Sequence, residues 1–225
     1  MKEKQKLKIL LLQIRDDSIV RAEEVQSFAL HSGLGESQIH IHNVFDHPQF
    51  DTDIVSGFDA LFIGGASEAS VLEEDRFTFL HSGYKLIHYC LEHSIPTFAS
   101  CFGFQMAIMA FGGTITRDTS DYEMGTCDIH RTQLGESDLL FQALPSTFKA
   151  VSVHQEKATI LPVNCELLAQ TDNCLGYTGL PFVSLNLEYR KLEYENYKVS
   201  DISSYNFKNF SINEIFLSVS LPLEF

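Results

Sequence analysis

Short runs that are apolar at nearly every position, separated by stretches with helical spacing, constrain this chain most. Leu7 to Gln13 is such a run, bounded by charged residues. A strand that is apolar on both faces must be covered on both faces, as in a parallel sheet sandwiched between helices. Val20 to His31 follows with Val20, Val25, Phe28 and Ala29 at helical spacing, and Gly33 and Gly35 break it. Ile39 to Val44 alternates like a half-buried strand. Asp59-Ala60-Leu61-Phe62-Ile63 is another strand, stopped by Gly64-Gly65. Glu73 to His93 reads as one long helix carrying Phe77, Leu80, Tyr84, Ile87 and Leu91, with the acidic Glu73-Glu74-Asp75 favourable at its N-terminus. Pro96 to Ala99 is again a strand, and Phe104 to Phe111 a helix ending at Gly112-Gly113. This order predicts a mostly parallel sheet with helices on both faces.

From Thr114 to Leu168 the runs shorten and alternate, as in Cys127-Asp128-Ile129-His130 and Phe148 to Val153. They predict β-hairpins and edge strands added to the same sheet. After Val183 the composition changes again. Leu187 to Tyr197 has the pattern of an amphipathic helix, and Ser203 to Asn213 is rich in Ser, Asn and Phe and fits no template.

The 225 residues carry a formal charge of -14, which argues against a nucleic-acid partner, since phosphate binding needs a basic face. The five cysteines are odd in number and form no C-x-x-C pair, so a reducing compartment is expected. The N-terminal apolar run ends in Gln13-Ile14-Arg15-Asp16-Asp17 without a small-residue cleavage site and reads as a strand rather than a signal peptide. No stretch approaches the roughly 18 apolar residues that span a bilayer. The expected location is the cytoplasm, with no membrane contact. His40, His42 and His47 lack a completing set at ligand spacing and read as surface residues, so no metal is expected. Asp16-Asp17 reads as a solvated loop.

Chemistry concentrates in PTFASCFGFQMAIMAFGG, residues 96–113. Cys101 there is either a buried small hydrophobe or a nucleophile on a strand-to-helix turn. Such a turn lies at the carboxyl edge of the sheet, where backbone N–H groups of the helix N-terminus lower a thiol pKa and hold an oxyanion. Ala99, Ser100 and Gly103 supply the small neighbours it demands. Ile63-Gly64-Gly65-Ala66-Ser67 could bring backbone close to a ligand, or could simply end a strand.

Taken in order, these segments resemble the class-I (triad) glutamine amidotransferases, and among them the stand-alone proteins similar to the amidotransferase domain of GMP synthetase. The resemblance covers roughly residues 7–182. FDALFIGG is similar to the strand and oxyanion loop, and residues 96–113 to the nucleophile motif G-x-C-x-G-x-Q. Glu123-Met124-Gly125 resembles the following E-x-G, Val153 to Lys157 the H-x-D-x-V stretch, and Gly179-Leu180-Pro181-Phe182 the lead-in to the last motif. The resemblance implies a flavodoxin-like three-layer sandwich with an added antiparallel portion. It implies that Cys101 attacks the side-chain amide of glutamine, giving a γ-glutamyl thioester and ammonia. The N–H groups of Gly65 and Phe102 would form the oxyanion hole. Gln105 would help bind glutamine, with Gly64, Glu123 and His154 beside the substrate. No cofactor is implied, and any acceptor of ammonia would be a separate synthetase or acceptor protein.

The chain departs from the family at one decisive place. The late motif, roughly Q-F-H-P-E, supplies the base and its orienting carboxylate. Here Asn186 and Leu187 take the Gln and Phe places, Glu188 falls at the histidine and Arg190 at the glutamate. No histidine follows His154. Histidine is suited to accept a thiol proton and return it to ammonia near pH 7, whereas a glutamate repels a thiolate. Glutaminase activity is therefore expected to be weak or absent. Smaller departures are Ala99 for the first glycine, Phe104 where a histidine is frequent, and Glu156 for the Asp of H-x-D.

The expected organisation is one amidotransferase-like domain, 1–182, and an atypical segment, 183–225, either part of that domain or disordered. Two accounts of the tail remain open: a pseudoenzyme that keeps its pocket for binding or regulation, and a frame-shifted C-terminus. Reading the alternative frames for Q-F-H-P-E separates them. A γ-glutamyl peptide hydrolase on the same scaffold is a further alternative.

Overall fold

A computed structural model describes residues 3–117, 123–138, 141–163, 165–172, 174–175, 177–180 and 183–186. The first strand, β1 (Ile9–Gln13), is buried at every position. It pairs in parallel with β2 (Ile39–Asn43) on one side and β3 (Ala60–Ile63) on the other. β4 (Thr97–Ser100) continues the sheet beside β3, and β11 (Val183–Asn186) lies parallel to β4. These five strands run in the order β2-β1-β3-β4-β11. That is the order of a flavodoxin-like sheet, whose ligands bind at the carboxyl ends of the strands.

The antiparallel part continues the same sheet through β10 (Tyr177–Leu180), β9 (Glu166–Gln170), β6 (Glu123–Arg131) and β7 (Thr147–His154). β5 (Thr114–Arg117) and β8 (Glu156–Ile160) do not join it. They form a separate two-stranded ribbon, where the sequence suggested edge strands of one sheet.

Side-chain alternation divides the core. Ile9, Leu11, Ala60 and Phe62 face α1 (Ser18–Ser32), packing with Val25 and Ala29. Leu10, Leu12, Leu61 and Ile63 face the opposite layer, formed by α2 (Phe79–Glu92) and α3 (Phe102–Ala110). A third cluster, around Ile129, Phe148 and Leu168, fills the antiparallel end beneath the short α4 (Gln133–Ser137).

Most predicted elements appear within a residue or two of their expected bounds. The long helix from Glu73 does not. α2 begins at Phe79, because Glu73 turns away to pair with Arg76 and Arg117. Asp17, read as a solvated loop residue, caps α1: its carboxylate accepts from the N–H groups of Ile19 and Val20 at 2.8 and 3.1 Å. The expected helix at 187–197 and the Asn/Ser/Phe-rich stretch lie outside the described residues.

Removing that cap leaves two helix-end donors to water. Asp17→Ala is expected to lower stability by about 1 kcal/mol. A urea-unfolding midpoint that falls with an unchanged slope would check this.

Candidate active site

Three strands deliver the site to one edge of the sheet. β3 ends at Ile63 and passes into Gly64-Gly65-Ala66-Ser67, with Gly64 N–H donating to Leu12 O at 3.0 Å. β4 ends at Ser100, and the chain turns at Cys101 straight into α3. Cys101 has φ 49° and ψ -104°, a conformation rare outside glycine. Such strain persists only where the surroundings impose it. Here they do. Gly103 N–H donates to Gly64 O at 3.1 Å, pulling the first turn of α3 against the end of β3. A Cβ at Gly103 would lie 2.8 Å from both Ile63 O and Ile63 Cγ2, so the approach requires glycine.

The thiol environments differ. Cys90 and Cys165 are pushed up to about 11 by burial and stay protonated at neutral pH. Both pack against the α2/α3 core. Cys101 is half-buried, at the N-cap of α3 and the carboxyl edge of the sheet.

Phe102 contributes its backbone N–H at the first helical position, while its ring is buried near Phe79, with centroids 6.3 Å apart. Gln105, one turn on, is buried and donates its amide N–H to Glu156 O at 2.8 Å. This bond links α3 to the His154–Glu156 segment. His154 ends β7, half-buried and opposite Glu123 in the β6 register, and Glu156 opens β8 two residues later. The elbow, the glycine loop, Gln105 and the His154–Glu156 junction thus converge, although β7 is the last strand of the sheet.

Glu156 also anchors the segment after the glycine loop. Its Oε1 accepts from Ser70 Oγ at 2.6 Å, and from Arg117 Nη2 and Nε at 2.6 and 2.9 Å. Arg117 Nη2 also donates to Glu73 Oε1 at 3.0 Å. Hydrogen bonds from Arg117, then Arg76, hold the Glu73 carboxyl below its ordinary range. Sequence reading noted Glu156 only as a stand-in for aspartate and missed Ser70 and Arg117. The signal was faint: an arginine ending a short alternating strand.

β11 runs to the carboxyl edge of the sheet beside β4. β11 pairs Leu185 with Ala99 and Asn186 with Ser100, so its carboxyl end lies alongside the elbow. Pro181, Phe182, Glu188 and Arg190 lie outside the described residues. Among the described residues, no cluster of His, Cys, Asp and Glu is placed to hold a metal ion. His40 packs on Phe58 and His42 on Phe50, with ring centroids 5.2 and 4.7 Å apart. Burial lowers the His42 pKa. Among the described residues, no helix is long and apolar enough to cross a membrane.

A strained cysteine turn thus stands at the carboxyl edge of a flavodoxin-like sheet, facing a glycine loop. The profile of the family "Glutamine amidotransferase class-I" matches residues 29–179, more than half of the chain, and the protein belongs to that family. It is 35% identical over 82 residues to the GMP synthase (glutamine-hydrolyzing) of Borreliella burgdorferi, covering 36% of this chain and 16% of that one. It is 32% identical over 84 residues to a glutamine-hydrolyzing GMP synthase subunit of Methanococcus maripaludis, covering 37% and 42%. The matches therefore span less than half the length of these relatives. Among solved structures, a glutamine amidotransferase from Thermotoga maritima superposes with a TM-score of 0.64 at 14% identity, over 80% of this chain and 74% of that one.

Two outcomes follow from this geometry. Gly103→Ala forces Cβ into Ile63 O and is expected to destabilise by about 1–3 kcal/mol, read from denaturant unfolding. Glu73, with a lowered folded pKa, contributes stability that is fully present above the ordinary glutamate pKa of about 4.3 and is lost as pH falls through its folded pKa. The stability difference between the wild type and Glu73→Gln should therefore be small at pH 7, because the pair is partly exposed, and vanish in acid.

Proposed function

We propose that this protein is an amidotransferase module whose glutaminase half-reaction lacks its base. Cys101 Sγ attacks Cδ of the glutamine side chain, and the N–H groups of Gly65 and Phe102 take the charge developing on the amide oxygen. The C–N bond then breaks. Ammonia leaves with a proton, and water hydrolyses the γ-glutamyl thioester to glutamate and free thiol. Gly64, Gln105, Glu123 and His154 flank the glutamine. The carrying observation is the elbow itself: a cysteine at φ 49° heading α3, fastened to the glycine loop by the Gly103–Gly64 hydrogen bond.

The proton steps are what the chain handles poorly. The thiol proton must be accepted and later returned to the leaving amine, and Glu188 stands at the motif's histidine position. A helix N-terminus favours some thiolate without a base, so slow acylation survives better than turnover. The Methanococcus relatives are named as one subunit of GMP synthase. By that likeness, any ammonia passes to a separate acceptor protein. A purely binding role for the same pocket is supported by one feature, the absence of any histidine after His154.

Ammonia release from L-glutamine tests this directly. The protein as it stands should be slow, and Glu188→His with Arg190→Glu should raise the rate by about 10²-fold or more. Adding Cys101→Ala to the repaired chain should abolish it. Fast Cys101-dependent release without repair would show that another group serves as base. A repaired chain that remains inert would sink the glutaminase reading, and turnover of γ-glutamyl peptides alone would replace it.

A further inference from the structure

A buried ion pair lies beneath the glycine loop, on the α1 side of the sheet. Arg15, just after β1, donates Nε–H to Glu24 Oε1 at 3.0 Å, with side-chain exposures of 8% and 0%. Arg15 Nη1 donates to Ser67 Oγ at 3.1 Å. The Glu24 carboxylate lies close under Gly64, where a Cβ would sit 2.7 Å from Oε1. One side-chain pair therefore touches both ends of the segment 64–67.

The pair is itself fixed from behind. Arg15 O accepts from Arg21 Nε and from Asn43 Nδ2, each at 2.9 Å. Arg21 forms a two-point ion pair with Asp46 at 2.6 and 3.1 Å. Asn43 also donates to Gln13 Oε1 at 3.1 Å. The ends of β1 and β2 and the first turns of α1 thus converge on Arg15.

A buried ion pair adds little to stability over well-packed apolar residues of similar volume, because both charges must be desolvated. What this pair offers beyond stability is location. We propose that Arg15 and Glu24 are positioning residues for the oxyanion loop. Glu24 closes the space under Gly64, and the arginine fork spans from that carboxylate to Ser67. The loop's length is thereby held, and the Gly65 N–H stays aimed at the carbonyl oxygen of a substrate on Cys101. This rests on the glutaminase reading of Cys101. Arginine is required because a lysine ammonium is a point donor that cannot serve the carboxylate and Ser67 with the same fixed geometry.

The test uses the full-length protein and two electrophiles that report different things. A chloroketone analogue of glutamine needs the amide pocket and a donor for its tetrahedral oxyanion. Iodoacetamide reads thiolate alone. The rate of Cys101 labelling by each is followed by mass spectrometry, beside the thermal midpoint. Arg15→Lys, which keeps the buried charge, should slow the chloroketone reaction by about tenfold or more while iodoacetamide labelling is unchanged. Ser67→Ala, at an exposed position, should slow it in the same direction by a smaller factor, and Ser67→Thr should restore it. Wild-type rate ratios in both Arg15→Lys and Ser67→Ala would overturn the proposal, as would equal slowing of both reagents. If the wild type itself shows no preference for the glutamine analogue at Cys101, the glutaminase reading fails, and this proposal with it.

Discussion

Everything at the reactive edge depends on how closely α3 approaches β3. The hydrogen bond from Gly103 N–H to Gly64 O leaves no room for a side chain at 103. It also holds the elbow. A residue such as Cys101, at φ 49°, stores on the order of 1–3 kcal/mol, which the surrounding packing must offset. Phe102, Met106, Ala107 and Ile108 do this by burying the helix against the sheet and α2. The strain falls at one residue because both flanking elements are rigid.

Polar contacts then fix the loops that apolar packing cannot. On the α1 side, Arg15 spans Glu24 and Ser67. On the other, Glu156 gathers Ser70 and Arg117, while its carbonyl receives Gln105. The segment after β3 is therefore tethered twice, once to the first strand and once to the ribbon β5–β8. Apolar burial is nondirectional and sets which face a strand presents. Hydrogen-bonded charges are directional and set where a loop stops.

The sequence was informative wherever one residue type answered to one local demand. Short, largely apolar runs marked β1, β3 and β4. Small residues around Cys101 marked the elbow, and ordered motifs marked the family. It was silent where the demand came from elsewhere in the chain. Glu73 looked like a helix N-terminus because three acids precede an apolar stripe, yet its partner is Arg117, 44 residues away. Ser70 and Glu156 meet across 86 residues, and no periodicity encodes that. Glu24 did leave a trace. It sits four residues after Val20 and four before Phe28, a carboxylate on the apolar face of its helix, which is costly unless paired.

The same division separates what holds this edge of the sheet from the chemistry proposed for it. β11 joins β4 through backbone hydrogen bonds, with Asn186 beside Ser100. That pairing does not depend on which side chain stands two residues later. The elbow and the loop tethers rest on apolar burial and on polar residues before 160. On the proposed reading, folding and proton transfer thus make their demands on separate residues: Gly103, Gly64 and Glu156 hold the edge, while Glu188 stands where the motif has its histidine.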